Sequence, residues 1–287
     1  MIRARPLLGT RVDIRVENAD TDAANAAIDR GFAAIAEVHR LMSFHEAASD
    51  VSRLNREATA SAVRVDAHTF NVLRFAQDFS EGSDGIFDIT TAGRLVAWGF
   101  LPRPPGAPEP DPEASWRDVI LEGENRIRFA KPLWIDLGGI AKGYAIDQAL
   151  AAMDLAPGIQ AVVNAGGDLR VAGPRIESIH LRSAIEMDEV PVVEIEDGAL
   201  ACSSGREHLK IRADGAVGPH VHGRNGRSVG ADSFVAVAAR DCLTADALTK
   251  VVLTAGSEAE AILGQCGAIA YFYEAGAGWR TVGAAQD

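Results

Sequence analysis

The sequence predicts an α+β fold. Three observations lead there. Several segments alternate apolar and polar residues with period two and read as half-buried strands. Others repeat apolar residues every three to four positions, as a helix with one buried face does. The two kinds follow one another without the regular strand–helix–strand rhythm of a parallel sheet. The 287 residues, nearly half of them apolar, suffice for a full core, as one domain or two interleaved halves.

Taken in order, Thr10–Val16 (TRVDIRV) alternates and is the first predicted strand. Asp20 to His39 places Ala24, Ile28, Phe32, Ile35 and Val38 on one helical face, with Asp20 or Thr21 as cap. Met42–Glu57 is a loop entering a short helix capped by Ser49 or Asp50. A further helix runs from Asp66 to Glu81 and stops at Gly82. Residues 102–112 (PRPPGAPEPDP) hold six of the twelve prolines, which predicts an extended surface loop, at about 102–114, within a single domain. From Trp116 strands dominate: WRDVIL, RIRF and LWID precede a helix from Ala141 to Asp154. AVVN and DLRVAG form a hairpin on Gly166–Gly167. Short strands follow at Val192–Ile195, Ala199–Ser203, Lys210–Arg212 and Phe234–Ala239. Helices at Thr244–Ala255 and from Ser257, then a strand AIAYFYE, end the pattern.

A net charge of −12 argues against non-specific nucleic-acid binding, which needs a basic surface. It also means that a phosphate ligand must be met by local positive charge, a helix end or a cation. The three cysteines are odd in number and lack CxxC spacing, so reduced thiols are expected rather than zinc or disulfides. Arg3 and Arg5 are followed by Pro6 and Gly9, not by a signal-peptide core. No apolar run reaches the ~18 residues of a membrane span. The expectation is a cytoplasmic protein as written, or a periplasmic one if the native N-terminus has been trimmed.

Five motifs could carry chemistry. IDLGGIAKGY (Ile135–Tyr144) runs from an apolar stretch through Asp136 and Gly138–Gly139 into a helix start. It reads either as an anion site, with helix N–H groups open to phosphate, or as a tight turn without ligand. Asp88 in GIFDIT sits between Phe87 and Ile89 and suits a cap, an ion pair or a ligand contact. NAGGDLR is a hairpin by its glycines. His220 and His222 are spaced to share one face of a strand, as general bases, metal ligands or surface residues. Asp246 in TADALTKVV lies near a helix start, as dipole complement or as an oxygen ligand for a hard cation.

In their joint order these motifs resemble one family. The segments LLGTRVDI, MSFHEAASDVSRLN, GIFDITTAGRLVAWGF, IDLGGIAKGYAIDQAL, VVNAGGDLRVAG, PHVHGRNGR and CLTADALTKVV cover about residues 7 to 256. Together they resemble the FAD:protein FMN transferases, the ApbE-type flavin transferases. The resemblance implies mixed sheets with flanking helices in two interleaved lobes. It implies Mg²⁺-dependent transfer of FMN from FAD to a threonine or serine of a target flavoprotein, with release of AMP. Met42, Ile86, Phe87 and Asp88 would line the flavin-nucleotide site. Gly138, Lys142 and Tyr144 would flank the pyrophosphate, and Val221 would touch FAD. The carbonyl of Ala141 and the side chains of Asp246 and Thr249 would hold Mg²⁺. His220 is the candidate base, with His222 as substitute and Asp88 as the carboxylate alternative.

Two departures from the family pattern stand out. After ADAL the family usually carries a Ser/Thr pair, and this chain has Thr249 and Lys250. An ammonium cannot ligate Mg²⁺. Either Thr249 and water complete the shell, or Lys250 partly replaces the ion's charge. The loop PHVHGRNG stands where SHIIDPRTG is usual; it keeps His220, lacks the aspartate and is one residue shorter. Alternative readings with the same residues are an Mg²⁺-dependent FAD pyrophosphatase, an FAD-binding protein without turnover, and a structural domain.

Overall fold

An eight-stranded antiparallel sheet carries the fold in the computed structural model. The structure describes residues 1–182, 185, 189–206, 209–212, 215–229 and 232–283. Across the sheet the strands run Ile2–Leu7, Thr10–Glu17, Gln160–Ala165, Asp168–Ala172, Ala199–Ser204, Ser233–Ala239, Ile269–Glu274 and Gly278–Val282. The chain leaves this sheet after Glu17 and re-enters beside the same strand, pairing Val12 with Ala165 and Glu17 with Gln160. The material between forms the second layer, so the two parts are interleaved in sequence. The fold is α+β, as predicted.

The helices are α1 (Thr21–Met42), α2 (Asp50–Glu57), α3 (Ala67–Gly82), α4 (Ala92–Ala97), α5 (Ala141–Met153), α6 (Cys242–Ala255) and α7 (Glu260–Gln265). Asp20, Ser49 and Asp66 cap α1, α2 and α3 by accepting from Ala23, Ser52 and His68 N–H. Strand alternation divides the core in two. Val235, Val237, Ala199 and Ala201 face the helices in the main cluster, whereas Phe234, Ala236 and Leu200 face a smaller cluster behind the sheet. A three-stranded sheet of Val119–Glu122, Arg126–Phe129 and Val63–Arg64 packs with α2 and α3. The predicted hairpin forms at Gly166 and Gly167, both at positive φ (64° and 104°), where glycine carries no steric penalty.

Several expectations are corrected. LWID is not a strand: Leu133, Trp134 and Ile135 are apolar because they are buried, not because they join a ladder. The side-chain amide of Asn55 pairs with Ile135 in both directions (3.1 and 2.8 Å), and Asp136 N–H donates to the Ile89 carbonyl (2.9 Å). Residues 116–118 form a 3₁₀ turn before their strand. The strands Ile2–Leu7 and Gly278–Val282, and α4, were not anticipated. The N-terminal strand is a mostly exposed edge whose Arg3 and Arg5 pair with Asp29 of α1, so it lacks the alternation that marks a half-buried strand. The proline-rich segment is not wholly a surface loop. Pro104 and Ala107 are buried, and Trp134 Nε1–H donates to the Pro108 carbonyl (2.8 Å). It packs over the run that leads into the glycine corner.

Candidate active site

The corner at residues 136–143 is shaped by its own hydrogen bonds. The Asp136 carboxylate accepts from the N–H groups of Leu137 and Gly138 and anchors the turn; burial pushes this carboxyl above the usual range. Ile140 and Ala141 N–H both donate to the Leu137 carbonyl (3.0 and 2.8 Å). Gly143 N–H donates to Asp246 Oδ2 (3.0 Å). The expected set of open N–H groups at the start of α5 is therefore largely engaged inside the chain. The anion held there is the chain's own Asp246. This follows from how closely α5 and α6 approach: a Cβ on Gly143 would lie 2.2 Å from the Cys242 carbonyl oxygen.

Asp246 and Thr249 are fully buried on α6. One turn beyond Asp246, Lys250 Nζ lies 2.8 Å from Asp246 Oδ1, 2.8 Å from Thr249 Oγ1 and 2.9 Å from Ser203 Oγ. Thr249 Oγ1 also donates to the Asp246 carbonyl (2.7 Å) and lies 2.8 Å from Ser203 Oγ. The oxygens nominated for a divalent ion thus surround an ammonium, and both Asp246 carboxylate oxygens have partners. With Lys250 seated, this donor set does not fit Mg²⁺. Among the described residues, no group of three or more His, Cys, Asp or Glu forms a metal site elsewhere. Ser203 was not anticipated, because nothing in its local sequence distinguishes it.

Two hollows meet over this cluster. The first, about 320 Å³, is lined by Ile86, Phe87, Asp88, Gly138, His220, Val221 and Lys250, among others. The second, about 500 Å³, includes Met42, Ala141, Lys142, Thr10, His39 and His45. Leu101, Asp136 and Gly138 line both, so the hollows abut at the glycine corner. Gly139 lies against the Lys250 stem, with Cγ and Cε at 3.5 and 3.6 Å from where its Cβ would be. The sequence does not single out His39, His45, Thr10 or Leu101 as site residues; only the tertiary fold gathers them.

Other nominated residues have more structural surroundings. Lys142 Nζ pairs with the buried Asp168 Oδ2 (2.6 Å). Burial works against its charge, but the carboxylates of Asp168 and Asp246 outweigh that and hold its pKa above the ordinary lysine value. Asp168 comes from the NAGGD hairpin, and Gly166 of that hairpin lines the second hollow. Tyr144 lines neither hollow; its hydroxyl meets His68 Nδ1 (2.7 Å). Asp88 caps a short 3₁₀ turn, its Oδ1 accepting from Thr90 N–H and Oγ1–H (both 2.7 Å), and burial raises its pKa despite these bonds. Its Oδ1 is thereby committed to the turn. His222 is also corrected. The segment is a turn closed by Gly226 N–H on the His222 carbonyl, with only a Val221–Ser228 bridge, so the two histidines do not share a strand face. His220 lines the first hollow, whereas His222 is buried against a different one. Burial, then Arg224, lowers the His222 pKa. The loop is fixed by Gly223, whose N–H donates to the Ile86 carbonyl (2.8 Å) and whose Cβ would lie 2.3 Å from the Gly85 carbonyl oxygen.

Comparison with known proteins decides the family. A family model described as the ApbE family matches residues 8–272. The chain belongs to the ApbE family. A relative from Vibrio cholerae serotype O1, an FAD:protein FMN transferase, is 29% identical over 279 residues, covering 88% of this chain and 80% of its own length. A second, from Rhodobacter capsulatus and of the same name, is 28% identical over 215 residues, covering 70% of this chain and 41% of its own length. The ApbE protein of Thermotoga maritima superposes with a TM-score of 0.83 at 24% identity, covering 98% of this chain and 96% of that one. The apo flavinyl transferase ApbE of Pseudomonas stutzeri gives 0.81 at 20% identity, covering 99% and 95%. These two likenesses establish the ApbE fold. Among the described residues of this ApbE-family chain, no helix is long and apolar enough to cross a membrane.

Proposed function

We propose that this chain transfers the FMN half of FAD to a threonine or serine hydroxyl of a target flavoprotein and releases AMP. The observation that carries this reading is the pair of abutting hollows meeting at Gly138, with Lys142 on one side and Lys250 on the other. A dinucleotide needs two chambers and ammonium groups near its diphosphate, and this acidic protein places two lysines, each paired with a buried aspartate, at the junction. Family membership supports the same substrate.

The acceptor oxygen forms a new P–O bond to the phosphorus of the FMN half. The bond from that phosphorus to the bridging oxygen breaks, and AMP leaves with that oxygen. The hydroxyl proton passes to His220, the histidine that lines the first hollow. Alignment and charge neutralisation dominate such a transfer. Phe87, Ile86 and Val221 supply apolar walls for a flavin ring, and Met42 lines the neighbouring chamber. Magnesium, implied by the family resemblance, would meet donors already gathered round Lys250, so no step is assigned to it.

The test is incubation with FAD and a candidate acceptor flavoprotein, reading intact mass for an FMN adduct and chromatography for AMP. Adduct and AMP in equal amounts are expected. FMN and AMP both free in solution, with no adduct, would mean that water is the acceptor and overturn the transferase reading. Replacing His220 by alanine should slow transfer by about 10²-fold or more.

A further inference from the structure

The cluster around Lys250 has the make-up of a cation site: one buried carboxylate, two hydroxyls and a positive centre. An ammonium has three protons to donate, and the three acceptors at 2.8–2.9 Å use all of them. A buried carboxylate must be paired, and Asp246 has its charge partner in Lys250 and a hydrogen bond from Gly143. Mg²⁺ would need near-octahedral oxygens at about 2.0–2.1 Å. It would have to expel the ammonium, which would then lose its carboxylate partner, since the neighbouring Asp168 is already paired with Lys142. The lysine stem runs alongside Gly139, at ordinary contact distance from where a Cβ there would be.

We infer that Lys250 is the resident cation of this site: its ammonium fills the oxygen cage of Asp246, Thr249 and Ser203, and the chain holds the FAD diphosphate without a divalent metal ion. The inference rests on the FAD reading of the two hollows and goes beyond it. A tethered cation brings one charge where Mg²⁺ brings two, but it is present at any metal concentration and is already ordered before the substrate arrives. The family's metal requirement is thereby replaced by a covalently attached charge.

The experiment measures FAD affinity calorimetrically in EDTA and in millimolar Mg²⁺, and titrates Mg²⁺ alone into the protein. Wild-type affinity should agree within about twofold between the two buffers, and Mg²⁺ alone should give no binding isotherm. Lys250→Ser should lose roughly tenfold or more in EDTA and recover on adding Mg²⁺, because the cage is then vacant. Wild-type binding that collapses on chelation overturns the inference, as does a Lys250→Ser variant that keeps its affinity in EDTA. Near-UV circular dichroism reports whether the variant folds; if it does not, the wild-type comparison decides alone. Absence of FAD binding in both buffers removes the FAD reading itself and this inference with it, whereas binding that needs Mg²⁺ removes this inference only.

Discussion

Asp147 and Asp246 cap each other's helices. Asp246, on α6, accepts from the first-turn N–H of Gly143 on α5 (3.0 Å). Asp147, on α5, accepts from the first-turn N–H groups of Cys242 and Leu243 on α6 (3.0 and 2.9 Å). Each carboxylate sits at the positive end of the other helix, so the two helix starts are locked together beneath the site. The two aspartates differ in what else they meet. Asp147 pairs with Arg170 away from the hollows, and Asp246 pairs with Lys250 at their junction.

Asp147→Ala should therefore act on stability alone. Removing a carboxylate cap costs about 1–2 kcal/mol. Urea denaturation should show that loss, while calorimetric FAD affinity stays within about twofold of wild type. A large affinity loss in a folded variant would mean that the α5–α6 register, not Asp246 alone, sets the site.

Gly143→Ala should be far more damaging than an ordinary glycine-to-alanine change in a helix, which stabilises. The added methyl meets a backbone carbonyl at 2.2 Å, and backbone cannot rotate away. The helices must part, which typically costs about 1–3 kcal/mol or more and breaks the Gly143–Asp246 bond. A lowered melting temperature together with weakened FAD binding is the expected result, and unchanged melting would contradict the close approach.

Lys142→Met should destabilise by roughly 3–5 kcal/mol, because Asp168 is left buried and unpaired beside Asp246. The double variant Lys142→Met, Asp168→Asn should regain much of this, since the neutral amide oxygen can still accept from Cys202 N–H as Asp168 does (2.8 Å). The Lys142 pKa is raised by folding, so the stability it contributes is complete at neutral pH and disappears only as pH climbs beyond the ordinary lysine range. Chemical denaturation of both variants from pH 7 upward checks the difference.

Asp136→Asn tests the corner. Folding raises the Asp136 pKa, so ionising it opposes the native state: the penalty is absent below the ordinary aspartate pKa and grows as pH rises through the raised one. The asparagine variant should melt higher than wild type at pH 8, by on the order of 2–4 °C, and match it in acid. FAD affinity at pH 8 should rise as well, because Asp136 lines both hollows where the diphosphate is placed. Melting curves that stay parallel across the pH range would refute the assignment.

Accessible thiols offer a simpler check on the core. Cys242 is fully buried, and burial, with Asp168 next, raises its pKa well above normal. It should resist a thiol reagent in the native protein and react only on unfolding, whereas Cys202 and Cys266 are half-buried and should react sooner.

The sequence by itself determined what depends on neighbours along the chain. Caps at Asp20, Ser49 and Asp66 act over two or three residues. The Gly166–Gly167 hairpin follows from local φ freedom, and the alternation in Thr10–Val16 from the two faces of one strand. Motif order sufficed to indicate the family. Only the tertiary structure decided which charges meet. Gly143 and Asp246 stand 103 residues apart, and Lys250 reaches Ser203 across 47. Ile135 satisfies its backbone on Asn55, 80 residues earlier, which is why an apolar run that looks like a strand is none. Partner choice in a folded core depends on distance and burial, and neither is encoded in local spacing. The sequence could therefore nominate Asp246 as a cation's ligand and note a lysine four residues later, but the packing of α6 on α5 and on the Ala199–Ser204 strand places that lysine among the cation's own oxygens.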